Sequence, residues 1–83
     1  MKSFVLDFRN VNNFEEVHNV LMKAFDFPEY YGKNLDALND CLSEKNILDK
    51  IYIIRKRNIF KGFNRIIEVF KDNNIELEQI IVK

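Results

Sequence analysis

Apolar residues recur along this chain with two different spacings, and the switch between them outlines six elements. Phe4-Val5-Leu6 with Phe8 is a short apolar run that reads as a buried strand. Asn12-Asn13 then precede Phe14, and Asn13 with Glu16 has the spacing of a capping box. From there Phe14, Val17, Val20, Leu21, Ala24 and Phe25 keep helical period, with Glu15, Glu16, His18, Asn19 and Lys23 assigned to the opposite face. This predicts a helix over 14–25, with His18 on its polar side and Phe27-Pro28 as its stop. Asn34 is placed to cap a second helix over about 34–43. Leu35, Leu38, Cys41 and Leu42 share one side of that helix, and Asp36, Asn39, Asp40 and Ser43 share the other. Ile51-Tyr52-Ile53-Ile54 predicts a second buried strand near 50–55. Phe63, Ile66, Ile67 and Phe70 mark a third helix over about 63–73, and Leu77 to Val82 a third strand. Residues 55–62 follow neither period. The order β-α-α-β-α-β, with short apolar strands between amphipathic helices, favours an α/β fold with a parallel sheet covered by helices.

The chain has 83 residues, which make a single domain spanning 1–83. A chain this short buries roughly 60% or slightly more of its unfolded surface. Its composition is nevertheless that of a folding sequence, 47% hydrophobic with eight Phe, and two Gly and one Pro leave little room for long irregular loops. The single Cys, Cys41, excludes an internal disulfide and fits a reducing compartment. The apolar patch after Met1-Lys2-Ser3 is too short for a signal-peptide core, and no apolar run approaches the ~20 residues that span a bilayer. A cytoplasmic protein without membrane contact is the expectation.

Chemistry has few residues to work with. The one His is expected on a polar helix face, and Cys41 falls on an apolar one, where a thiol is ordinarily an inert packing residue. Metal ligands at finger-like spacing are absent, so no metal or cofactor is expected. Two glycines thirty residues apart allow neither a P-loop nor a dinucleotide fingerprint. Ser3 and Ser43 have no triad partners around them. These observations favour a binding protein over an enzyme.

Charge is where the chain becomes distinctive. The formal net charge is zero, yet residues 26–49 hold six acids against two bases, a net of −4. Residues 50–65 hold six bases and no acid, a net of +6. Within the acidic stretch Asp36 and Asp40 stand four residues apart, a like-charge spacing that costs an isolated helix about 0.2–0.5 kcal/mol. The helix dipole offsets this in part for Asp36, less for Asp40. A solvated face and a surface built to meet a cationic partner both fit that pair. Tyr30 and Tyr31 lie just upstream. Amphipathic, stiff tyrosines beside a carboxylate face suit a protein interface, and one of the two is expected to pack inward instead.

The segment from Pro28 to Leu42, Pro-Glu-Tyr-Tyr-Gly-Lys-Asn-Leu-Asp-Ala-Leu-Asn-Asp-Cys-Leu, closely resembles the central motif of the barstar family, intracellular inhibitors of secreted ribonucleases. The order of elements agrees over nearly the whole chain. The resemblance implies a three-stranded parallel sheet packed by about three to four helices. It also implies that the loop and motif helix enter the ribonuclease active site. Tyr30, Gly32 and Asn34 would touch the enzyme, and Asp36 and Asp40 would pair with the cations that hold the substrate phosphate. The partner would be a secreted or toxin-type ribonuclease, met by an immunity protein that is a monomer before the complex forms.

Three features depart from the family pattern. Asn39 stands where the type member carries an exposed tryptophan. Asp72 takes the place of an acidic contact on the last long helix, one carbon shorter. The stretch between the second strand and that helix is short, which is expected to reduce or delete one helix. A second function from another class is a nucleic-acid-binding domain, using Lys50, Arg55, Lys56, Arg57, Lys61 and Arg65 with Tyr52, Phe60 and Phe63. Phe63 keeps core period, which weighs against that alternative and makes nucleic acid the less favoured partner.

Overall fold

The computed structural model describes residues 3–45, 47 and 49–82; Met1, Lys2, Asn46, Leu48 and Lys83 lie outside it. The chain runs β1 (Phe4–Asp7), α1 (Phe14–Phe25), α2 (Leu35–Lys45), β2 (Ile51–Lys56), α3 (Asn64–Asp72) and β3 (Leu77–Val82). The three strands form one sheet in the order β1-β2-β3, and both pairings are parallel. This is the expected α/β architecture, a three-stranded parallel sheet with three helices among the described residues. Parallel neighbours need crossovers, and the helices supply them: α1 and α2 connect β1 to β2, and α3 connects β2 to β3.

The register explains which face of the sheet is core. Phe4, Ile51 and Leu77 share a row, and Leu6, Ile53 and Gln79 share the row two residues on. Leu6, Ile51 and Ile53 are fully buried among Val17, Leu21, Leu38, Leu42, Phe63, Ile66 and Phe70 from the helices. Burying each such side chain stabilises the fold by about 1.5–3 kcal/mol before entropy is counted. The alternate rows point the other way, and there Val5 and Ile80 are exposed at 60% and 41%. The expectation of a sheet covered by helices therefore holds for one face and not for both.

The helix ends show the local chemistry at work. Asn13 caps α1, its Oδ1 accepting from Glu16 N–H at 2.9 Å, while Glu16 Oε1 reaches back to Asn12 N–H at 2.7 Å. At the other end the stop is Asp26, and not Phe27-Pro28. Asp26 takes the left-handed conformation (φ 54°), and its N–H bonds to Met22 O. Phe27 then turns back into the core. α3 closes in the same way: Asn74 has φ 58°, Asn74 N–H bonds to Lys71 O and Ile75 N–H to Phe70 O, and Ile75 packs inward after the turn.

One sequence expectation is overturned by α1. His18 is not on a polar face but is 1% exposed. It stands four residues after Phe14, three before Leu21 and seven before Phe25, all on the side of α1 that packs inward. The ring is tolerated there because Nδ1 is hydrogen-bonded to the Tyr31 hydroxyl at 2.6 Å, so its buried nitrogen is not left unsatisfied.

Candidate functional site

The segment between α1 and α2 is held by two buried aromatic side chains, Phe27 and Tyr31. Phe27 is buried, with its ring 5.6 Å from Phe25 and 4.9 Å from Tyr31, centre to centre. Tyr31 N–H closes a turn onto Pro28 O at 3.0 Å. Tyr31 itself points inward to His18, and its neighbour Tyr30 points out, 89% exposed. Of the two tyrosines, one therefore anchors the loop and the other is presented by it. Burial pushes the Tyr31 phenol well above its ordinary value, so the hydroxyl that meets His18 Nδ1 keeps its proton. The same burial, with the Lys33 charge second, pushes the His18 pKa down.

Gly32, Lys33 and Asn34 turn this loop into α2. Lys33 adopts the left-handed conformation, φ 51°. A β-carbon at Gly32 would lie 3.2 Å from Asn34 Nδ2, so the glycine leaves room for the Asn34 amide. Asn34 uses that amide to shape the loop: Nδ2 donates to Gly32 O at 3.3 Å, and Oδ1 accepts from Ala37 N–H at 2.8 Å at the start of α2.

Along α2, Leu38 and Leu42 are fully buried, with Leu35, Ala37 and Cys41 packed partly against the core. The outward side carries Asp36, Asn39, Asp40, Ser43 and Glu44. The ion pairs among the described residues are Asp7–Arg9 and Lys50–Glu78, so neither Asp36 nor Asp40 is paired among them. Cys41 is half-buried at the edge of the packed side. Burial, followed by the Glu44 and Asp40 carboxylates, raises its thiol pKa.

Asp72 lies in the last turn of α3, exposed. The structure brings that turn to the outward side of α2 through Asn73, which bonds both Asn39 and Ser43. Tyr30, Gly32, Asn34, Asp36, Asn39, Asp40 and Asp72 are thus all carried by the 30–34 loop, the outward side of α2 and the adjoining end of α3. Within that set Asn34 has structural work as a cap and Asn39 is hydrogen-bonded. Sequence reasoning missed Asn73, Ser43 and His18. Only His18 left a signal, its spacing to the apolar positions of α1.

The basic segment is differently employed. Arg55 donates to Gln79 Oε1 at 3.0 Å and to Lys56 O at 3.1 Å, and its guanidinium sits 5.1 Å from the centre of the buried Phe63 ring. Ile59 and Phe60 are half-buried, and Phe60 meets Phe14 edge-on at 5.0 Å. Arg9 is engaged by Asp7, whose carboxyl it holds at about 2. Within the basic segment, Arg55 and Lys50, the latter 3.6 Å from the Glu78 carboxylate, are therefore engaged by the protein's own groups. No helix among the described residues is long and apolar enough to cross a membrane.

Comparison with known proteins places the chain in a family. A family model described as "Barstar (barnase inhibitor)" matches residues 1–80. The chain is also similar to the Bacillus subtilis (strain 168) protein named "Putative ribonuclease inhibitor YrdF", 34% identical over 79 residues, covering 95% of this chain and 84% of that protein.

Proposed function

This chain belongs to the barstar family, and on that premise we propose that it is an intracellular inhibitor, an immunity protein, of a secreted or toxin-type ribonuclease. The observation that carries the proposal is the outward side of α2. Two carboxylates, Asp36 and Asp40, stand there without a cationic partner among the described residues, on a helix whose other side is locked into the core by Leu38 and Leu42.

The mechanism is mimicry of the substrate's charge. A ribonuclease active site stabilises phosphate with cationic side chains. A carboxylate held at the right place satisfies the same groups through charge-assisted hydrogen bonds. Asp40 acts as the principal anion with Asp36 beside it. Tyr30 adds a stiff aromatic surface, Gly32 and Asn34 set the shape of the approaching loop, and Asn39 and Asp72 flank the contact. Because α2 is already fixed by packing, little conformational freedom remains to be lost on binding. The acidic field of residues 26–49 also speeds encounter with a basic enzyme.

The test is an RNA-cleavage titration. The purified chain is used as bait for the nucleases encoded beside its gene, and the one retained is assayed with increasing amounts of chain. Stoichiometric loss of cleavage, with complex formation weakened by a mononucleotide that competes for the active site, is the expected result. A retained nuclease that cleaves RNA at its full rate would refute the proposal.

A further inference from the structure

The contact between α2 and α3 is apolar inside and polar at its rim, and one residue organises the rim. Asn73 Nδ2 donates to Asn39 Oδ1 at 2.9 Å and to Val69 O at 2.9 Å, while Asn73 Oδ1 accepts from Ser43 Oγ at 2.9 Å. The direction of this amide is determined by chemistry. Val69 O is a carbonyl and can only accept, so the nitrogen faces it. The oxygen then faces Ser43, whose hydroxyl donates. Asn39 and Ser43 are one helical turn apart, which is the span a single carboxamide can bridge. Asn73 is also the C-cap of α3, with its own N–H bonded to Phe70 O at 3.1 Å.

We infer that Asn73 is a positioning residue of the partner-binding surface, clamping α3 to α2 so that Asp72 and Asp40 are presented as one rigid acidic face. The inference rests on the ribonuclease-inhibitor reading of that face and deepens it. The reason is adjacency. Asn39 immediately precedes Asp40, and Asn73 immediately follows Asp72. The clamp therefore joins the two helices at the residues next to the carboxylates. Asp36 and Asp40 share one helix and need no such device. Asp72 belongs to another element, and its placement relative to them depends on how α3 is seated. Recognition of a rigid cationic site needs its partner groups held within about 0.5 Å of their places. The buried contacts of Ile66, Ile67 and Phe70 fix the seating of α3 in depth, and the rim amide resists its sliding along α2. Asn39, on this reading, acts inward through Asn73 and contributes to binding by holding the face.

The test compares Asn73→Ala, Asn39→Ala and their double variant with the parent and with Asp40→Ala. The probe is barnase, or, where the parent does not inhibit it, the ribonuclease retained in the titration above. Inhibition is measured well below the melting temperature of every variant, so that all are folded. Asn73→Ala is expected to weaken inhibition by about 3- to 30-fold, and Asn39→Ala to do the same, with the double variant no worse than either alone. Truncating Asp72 should cost less in the Asn73→Ala background than in the parent, a coupling that a purely stabilising residue would not show. In the free protein, the Asn73 side-chain amide resonances should shift on Asn39→Ala and on Ser43→Ala, both at exposed positions where folding is not at stake. If Asp40→Ala abolishes inhibition while Asn73→Ala inhibits as the parent does, the clamp is wrong and the inhibitory reading stands. Should Asp40→Ala inhibit like the parent, the reading beneath the inference fails instead. Amide resonances indifferent to both neighbours would overturn the clamp without any partner present.

Discussion

Lowering the pH below neutrality should destabilise this protein through His18. The ring is buried and its Nδ1 shares a hydrogen bond with the Tyr31 hydroxyl, so a second proton on the imidazole would enter a poorly solvated site. Burial and the Lys33 charge depress the folded-state pKa below the unfolded value of about 6.5. Between those two values the unfolded chain binds more protons than the folded one, so stability rises with pH there. The contribution is fully present above about pH 6.5 and is lost as pH falls through the folded pKa. Its slope cannot exceed about 1.4 kcal/mol per pH unit for one proton. Urea titrations followed by circular dichroism at pH 8, 7, 6 and 5 measure the effect. His18→Gln removes the titrating group and should flatten the profile in that interval, whatever it costs at pH 8. Tyr31→Phe should leave a buried imidazole nitrogen unsatisfied and cost about 1–3 kcal/mol at neutral pH. Equal losses for parent and His18→Gln between pH 7 and 5.5 would refute the reasoning. The pair also anchors the loop that presents Tyr30, so the same acidification should weaken partner binding.

Two further predictions follow from packing. Gly62 has φ 98°, and a β-carbon there would lie 3.2 Å from the Phe14 ring. Gly62→Ala should therefore destabilise by about 1–2 kcal/mol in a denaturant melt, and an unchanged midpoint would contradict the conformation. Cys41, with its thiol pKa raised by burial, should react with iodoacetamide more slowly in the folded protein than in urea, and Cys41→Ala should lower stability modestly while leaving binding intact. Fast alkylation of the folded chain would contradict the packing of α2.

The parts of this fold that could be read in the sequence are those that repeat. Strands and helices appear within a residue or two of their expected bounds because apolar side chains must recur at the period of the element that buries them. The capping of α1 by Asn13 could be read because it is local. What escaped was neither periodic nor local. Asp26 ends α1 by adopting a left-handed backbone, which an aspartate tolerates but does not advertise. Polarity alone puts His18 on the outer face, because its buried partner, Tyr31, lies thirteen residues away. The Asn39–Asn73 bond joins residues thirty-four apart, both of types common on surfaces, so no pattern marks it. Val5 belongs to an apolar run that reads as a buried strand, and only the register shows that it lies with Ile80 on the open face of the sheet. For the candidate site, the motif from Pro28 to Leu42 named the loop and the carboxylates together. The division of labour between Tyr30 and Tyr31 needed the structure.

The role proposed for Asp40, on the outward side of α2, is tested most directly by one comparison. Asp40→Ala is titrated against the cognate ribonuclease beside a variant in which the cations of the 55–61 segment are neutralised, each with a thermal melt. Asp40→Ala should melt at or slightly above the parent temperature, since a like-charge neighbour of Asp36 is removed. It should nevertheless bind about 3–5 kcal/mol more weakly, because the enzyme's cations would be buried without a partner. The 55–61 variant should inhibit as the parent does. If Asp40→Ala binds as tightly as the parent while the 55–61 variant fails, the functional surface is on the other side of the molecule.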